Sequence, residues 1–222
     1  MSPVIPLSGP MAEPASGRRA RQLVILLHGL GADGDDLLGL AGMAGEALPD
    51  AAFVAPDAPQ PCDMAPYGRQ WFSLIDWSPA SLAAGVRAAA PSLDAFIDAQ
   101  MAERGLPPSA VALIGFSQGT MMALHVAPRR PDALAAVVGF SGALVDPESL
   151  TADIRSRPPV LLVHGDADPV VDFGHMARSA SDLRAAGVPV ETLVRPGLGH
   201  SIDQSGLIRA LTFLREGFGL KG

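Results

Sequence analysis

Apolar residues in this chain fall into short unbroken runs separated by longer stretches of mixed character. Leu23, Val24, Ile25, Leu26 and Leu27 form one run with no polar position, the signature of a strand buried on both faces. Residues 51–55, 111–114, 134–138, 160–163 and 188–194 predict further strands, and residues 4–7 a short edge strand. Helical patterning runs from after Asp36 to about Leu48, then over 79–104, 120–127, 147–154, 173–186 and 204–215. Ser78 suits a helix cap with Pro79 in the first position, and Gly105 suits a stop. Pro91 is expected to break or kink the helix it interrupts. Strands alternating with helices imply a mostly parallel central sheet covered on both faces, in one α/β domain. Residues 1–20, rich in Pro, Ser and Gly, read as a flexible N-terminal segment, and 21–222 as the domain.

The pattern fails over residues 56–79, where Pro, Gly and aromatics crowd together. A long irregular segment inside a compact domain is usually a lid or a binding wall.

In a parallel sheet, ligands sit beyond the carboxyl ends of the strands. That rim collects His28 to Gly31, Ser117, Ser141, Asp166, Asp168 and His200. Ser117 stands out, because Gly115-Phe116-Ser117-Gln118-Gly119 lies on a strand-to-helix turn. So sharp a turn strains the serine and needs glycines two residues either side. It also sets the hydroxyl at a helix N-terminus, where developing negative charge is favoured. Ser117 is the candidate nucleophile.

A serine nucleophile needs a base, and the base needs an acid to orient it. Five histidines are available. His125 and His175 fall inside helices. His28 precedes a glycine-rich turn it is placed to shape, and His164 sits at a strand end where a structural hydrogen bond is expected. His200, in the Gly-Leu-Gly-His loop after the last strand, is free to reach the rim. The acid comes from the Asp166–Asp168 loop, and the pattern favours Asp168, further out and before Pro169, over Asp166, which is suited to binding turn N–H groups. An oxyanion needs backbone donors. The N–H of Gln118 is one, and the loop after the first core strand offers that of Leu30.

Gly29-Leu30-Gly31-Ala32-Asp33-Gly34 is also a G-x-G-x-x-G after a strand, with Asp57 ending the next strand, as in a dinucleotide site. Asp33, Asp35 and Asp36 at that helix N-terminus would repel a pyrophosphate and instead suit turn and cap positions. No H-E-x-x-H occurs and the Asp cluster lacks the other ligands of a calcium loop, so no metal or cofactor is expected.

Composition narrows the partners. A net charge of −7 over 222 residues argues against nucleic acid. Cys62 is the only cysteine, excluding an intrachain disulfide and fitting a reducing compartment. No signal-peptide pattern or membrane-spanning stretch is visible, so a cytoplasmic location is expected.

Taken together, HGLGADG, GFSQG followed by TMMAL, HGDADPVV and GLGH resemble the phospholipase/carboxylesterase family of small α/β-hydrolases, which includes bacterial carboxylesterases and acyl-protein thioesterases. The resemblance runs from about Leu23 through nearly the whole chain. It implies an α/β-hydrolase fold, Ser117 as nucleophile, Asp168 rather than Asp166 as acid, His200 as base, and Leu30 and Gln118 as oxyanion donors. It further implies that Trp71, Phe72, Leu74, Ile75 and Trp77 help line the acyl pocket, with Ser141 beside it; packing the irregular segment down is an equal alternative for each aromatic. The expected activity is cofactor-free hydrolysis of carboxylic esters with short to medium acyl chains, with thioester or lysophospholipid hydrolysis as alternatives from the same machinery. A silent hydrolase fold used for binding is the remaining alternative. Relatives often pair, which leaves a homodimer open. Asp172 is a departure, standing where the family tends to have proline.

Overall fold

The computed structural model describes residues 4–220; residues 1–3 and 221–222, the ends of the two segments drawn above, lie outside the described residues. Six parallel strands form the centre: β2 (Gln22–Leu27), β3 (Ala51–Val54), β6 (Val111–Phe116), β7 (Ala136–Phe140), β8 (Val160–Gly165) and β9 (Val190–Arg195). A seventh, β1 (Met11–Ala12), pairs antiparallel with β3, giving the order β1-β3-β2-β6-β7-β8-β9. A separate two-stranded ribbon, β4 (Gln60–Pro61) and β5 (Arg69–Gln70), lies within the irregular segment.

The edge strand falls at Met11–Ala12 and not at residues 4–7. Pro6 explains the shift, since it has no N–H for a ladder. The N-terminal segment is also tied to the sheet edge: Ala55 N–H donates to Pro10 O, Asp57 N–H to Ser8 O, and Ile5 N–H to Ser92 Oγ.

Helices α1 (Gly34–Ala44) and α6 (Gln204–Gly217) cover one face of the sheet, packing Leu37, Ala41, Leu207 and Leu214 on Val24, Leu26, Ile114 and Val138. On the other face, α2 (Pro79–Arg104), α3 (Gln118–Val126), α4 (Pro147–Asp153) and α5 (Gly174–Ala185) bury Leu93, Met122, Leu150 and Leu183 against Ile25, Leu113 and Leu162. The odd and even residues of β2 thus serve opposite cores, as its wholly apolar sequence requires.

Helix α2 continues through Pro91 without a break. An internal proline costs about 3 kcal/mol, but Val86, Ala89, Leu93, Phe96 and Ile97 on either side of it are buried, and each large buried side chain returns about 1.5–3 kcal/mol. Ser78 caps α2 by accepting from Ser81 N–H, and Gly105 closes it at φ 64°. Among the described residues no helix is long and apolar enough to cross a membrane.

Candidate active site

Strand β6 delivers Ser117 to the turn before α3 with φ 52° and ψ −114°, a region that costs a non-glycine residue about 1–3 kcal/mol. The surroundings fix that strain. Ser117 N–H donates to Phe140 O at 2.9 Å, and Thr120 Oγ1 lies 2.8 Å from both Gly115 O and Phe140 O. The flanking glycines are sterically required: a Cβ on Gly115 would stand 2.5 Å from the backbone of Gly119, and one on Gly119 would stand 1.9 Å from Leu27 O. Ser117 Oγ makes no hydrogen bond to the described residues.

His200 reaches the same rim. Its ring lies 4.8 Å, centroid to centroid, from that of Phe116, the residue before the serine. His200 Nδ1 stands 2.8 Å from Asp168 Oδ2. A carboxylate oxygen only accepts, so Nδ1 carries the proton and Nε2 keeps its lone pair. Asp168, with a fully buried side chain, also accepts from Val170 and Val171 N–H through Oδ1 at 2.8 and 3.0 Å. Burial works to raise its pKa, but the His200 hydrogen bond and these two N–H groups outweigh it and hold the group below the ordinary carboxylate value. Asp166 instead accepts from Gly197 N–H at 2.7 Å, fastening the turn that leads into His200.

The loop after β2 closes over the serine. A Cβ on Gly29 would lie 3.4 Å from Ser117 Cβ. Gly31 N–H donates to Arg69 O and Arg69 N–H to Ala32 O, both at 2.8 Å, clamping the loop to the β4–β5 ribbon. The Leu30 N–H has no hydrogen-bond partner among the described residues, and the Gln118 N–H opens α3, where no intrahelical partner exists. His28 shapes this loop: Nε2 accepts from Ala58 N–H at 3.0 Å, so Nδ1 donates to Gly29 O at 2.7 Å. Burial lowers the pKa of His28 and keeps it neutral.

The same glycines do not form a nucleotide cradle. Asp57 Oδ1 is used by Gly34 N–H at 2.9 Å, and Asp33 caps α1. Gly34 serves packing, since a Cβ there would meet Ala55 O at 2.1 Å.

The phospholipase/carboxylesterase family model matches residues 13–217. The chain belongs to that family. It is 32% identical over 196 residues to esterase YpfH of Escherichia coli K12, covering 88% of this chain and 83% of that protein. The crystal structure of esterase PE8 superposes with a TM-score of 0.91 at 44% identity, covering 96% of this chain and 99% of that one. Acyl-protein thioesterase 2 of Zea mays superposes with a TM-score of 0.78 at 25% identity, covering 94% and 98%.

For a phospholipase/carboxylesterase, the acyl side of the site is where sequence and structure diverge. Trp71 and Phe72 are buried in the core, and Gln118 ties them down: its Oε1 accepts from Trp71 N–H at 2.9 Å and its Nε2 donates to Phe72 O at 2.7 Å. Trp71 Nε1–H donates to His28 O at 3.1 Å. Leu74 is buried with them, Ile75 is 71% exposed, and Ser141 is buried at φ 47° with its Oγ unpartnered. None of these five lines the large cavity of about 920 Å³ that opens nearby; of the aromatics in the segment, Trp77 does. Its walls come from Leu82 and Ala83 of α2 and Leu144 and Val145 after β7, which lie in no motif, and from Met121 of α3 and Val170 and Val171 after Asp168, which lie in motif segments that do not mark them as pocket walls. A faint signal was present in the spacing of Pro79, Ala80, Leu82 and Ala83, small and apolar along one helix face.

Proposed function

We propose that this chain is a serine carboxylesterase working through Ser117, His200 and Asp168. The carrying observation is the His200–Asp168 hydrogen bond at 2.8 Å on the rim where the strained Ser117 turn presents its hydroxyl. His200 Nε2 takes the proton from Ser117 Oγ as Oγ bonds to the ester carbonyl carbon. The oxygen that becomes negative is received by the Leu30 and Gln118 N–H groups. The carbon–oxygen bond to the alcohol then breaks and the alcohol leaves with the proton from His200. Water repeats the sequence on the acyl-serine, releasing the acid and restoring the enzyme. Ser117 Oγ and His200 Nε2 are not hydrogen-bonded to each other, and catalytic contacts of this kind commonly tighten only in the Michaelis complex.

The 920 Å³ cavity takes the acyl chain, since Met121 is held to Ser117 O by its own N–H and Val170–Val171 follow the acid directly. Thioester hydrolysis is a second reading, favoured by the likeness to the maize thioesterase. Both are tested with fluorophosphonate labelling and a panel of 4-nitrophenyl esters of increasing acyl length beside one acyl thioester. Ser117→Ala abolishes labelling and turnover together; a Ser117→Ala protein that still hydrolyses the esters refutes the triad.

A further inference from the structure

The cavity is a groove between two helices, and its charges are unevenly spent. Pro79, Ala80, Leu82, Ala83 and Arg87 form its α2 wall; His175, Arg178, Ser179 and Asp182 recur at helical spacing along its α5 wall. From His175 to Asp182 the α5 wall runs about 10 Å, away from the acid loop at Val170–Val171.

The lining mixes apolar side chains with six charged ones. Arg87 is paired in a two-pronged contact, with Nε and Nη2 each 2.7 Å from an oxygen of Asp146. Asp146 is itself held in a left-handed conformation at φ 61° with a buried side chain. Arg178 faces Asp172 at 3.5 Å. Asp172 also accepts from Gly174 N–H at 3.0 Å at the start of α5, which is the use the chain makes of its departure from proline. Both cations of the lining are therefore paired. Glu148 and Asp182 have no ion-pair partner among the described residues, and burial lowers the pKa of His175, which adds no positive charge at neutral pH. The groove carries an excess of negative charge with no guanidinium to spare.

Resting on the esterase reading above, we propose that the α2–α5 groove is an anion-excluding acyl site, accepting acyl chains without negative charge and turning away those that end in a carboxylate. An apolar chain gains burial along Leu82, Met121, Leu144 and Val171. A terminal carboxylate would enter a lining whose unpaired charges are Glu148 and Asp182 and find no free cation. Repulsion between exposed charges is modest and salt-dependent, so the filter grades rates and does not act as an absolute block.

The test compares 4-nitrophenyl decanoate with the mono-4-nitrophenyl ester of decanedioic acid, equal in chain length, long enough to span the roughly 10 Å α5 wall, and different in terminal charge. In about 0.01 M salt, the neutral ester is expected to exceed the anionic one in kcat/KM by about tenfold. In about 1 M salt, where the Debye length falls to about 3 Å, the gap is expected to shrink to about twofold. Glu148→Gln/Asp182→Asn should raise the anionic-to-neutral ratio about fivefold at low salt. Glu13→Gln/Glu46→Gln, which removes the same charge near the opposite ends of the strands, should not. Equal kcat/KM for the two esters, a salt-independent gap, or equal shifts in the two double variants would overturn the proposal. The salt series uses the unaltered protein, so it stands even if a variant folds poorly. Failure of fluorophosphonate to label Ser117 would sink the esterase reading itself; labelling with equal rates on both esters would sink only the charge filter.

Discussion

His164 Nε2 lies 3.2 Å from Asp168 Oδ2, the same carboxylate oxygen that His200 Nδ1 approaches at 2.8 Å. His164 Nε2 also stands 3.0 Å from Val171 O. Both neighbours only accept, so Nε2 bears the proton; it is hydrogen-bonded to Val171 O with the Asp168 oxygen beside it, and His164 clasps the backbone of the loop that carries Asp168. Its ring is buried, which leaves the clasp no competition from water. His164 is a positioning residue for Asp168. A neutral hydrogen bond such as that to Val171 O contributes about 0.5–1.5 kcal/mol, so His164→Leu should lower kcat by roughly 2- to 10-fold with KM little changed. His164→Gln, which can still donate an amide N–H, should recover part of the loss. A His164→Leu enzyme with full kcat would show the contact to be incidental.

Asp168→Asn offers a sharper contrast, because shape is kept while the acceptor at Oδ2 is replaced or turned. His200 is then free to protonate on the wrong nitrogen. Loss of kcat by roughly 10⁴-fold is expected, as for an orienting acid in other triads. Asp166→Asn should act differently, loosening the Gly197 turn and affecting stability more than chemistry. Steady-state kinetics and thermal melts on the two variants separate these roles.

The core strands are legible in the chain because a strand buried on both faces tolerates no polar residue, and residues 23–27, 111–114 and 160–163 obey that rule without exception. The nucleophile turn is legible because its two glycines answer to backbone atoms 2.5 Å and 1.9 Å away from any added Cβ. The groove between α2 and α5 is not legible in the same way. The family resemblance implies Trp71 and Phe72 as pocket walls, yet the Gln118 amide holds both backbones in the core. Ordinary apolar residues of four separate elements make the groove, and only their tertiary arrangement reveals it. His164 is readable as a structural donor from its strand-end place, but its position beside Asp168 is not, since Asp168 returns to it through a loop.

Gly119→Ala should be among the most damaging single-methyl changes in the protein. The added Cβ would fall 1.9 Å from Leu27 O and 2.8 Å from His28 O, both backbone atoms of the central strand and the loop after it. Overpacking of this kind costs about 1–3 kcal/mol or more, and the displaced segment also carries the Leu30 donor. The expected result is a lowered Tm together with a lost oxyanion site. Gly39→Ala, where nothing lies within 4 Å, is the matched control and should keep both Tm and kcat.

His125 links stability to pH independently of the chemistry. It is buried inside α3, its Nδ1 has no hydrogen-bond partner, and burial, with Arg129 adding repulsion, pushes its pKa down to about 4. In the unfolded chain the group titrates near 6.5. Between those values the unfolded state binds a proton that the folded state refuses, so folding stability is complete above about pH 6.5 and falls as the pH drops toward about 4. A depression of that size corresponds to about 3 kcal/mol, large against a typical domain stability of about 5–15 kcal/mol. Asp168 adds to the loss only at lower pH, since its carboxylate is held below the ordinary value and its contribution goes as the pH falls through that lowered pKa. Urea unfolding of the wild type at a series of pH values should therefore show a decline starting near pH 6.5. His125→Leu should make the decline between about pH 6.5 and 4 shallower, leaving the part due to His28 and His175, whose pKa values burial also lowers, and the steeper acid fall in place. A wild-type curve that is level across that interval would show that the buried imidazole is not titrating against folding.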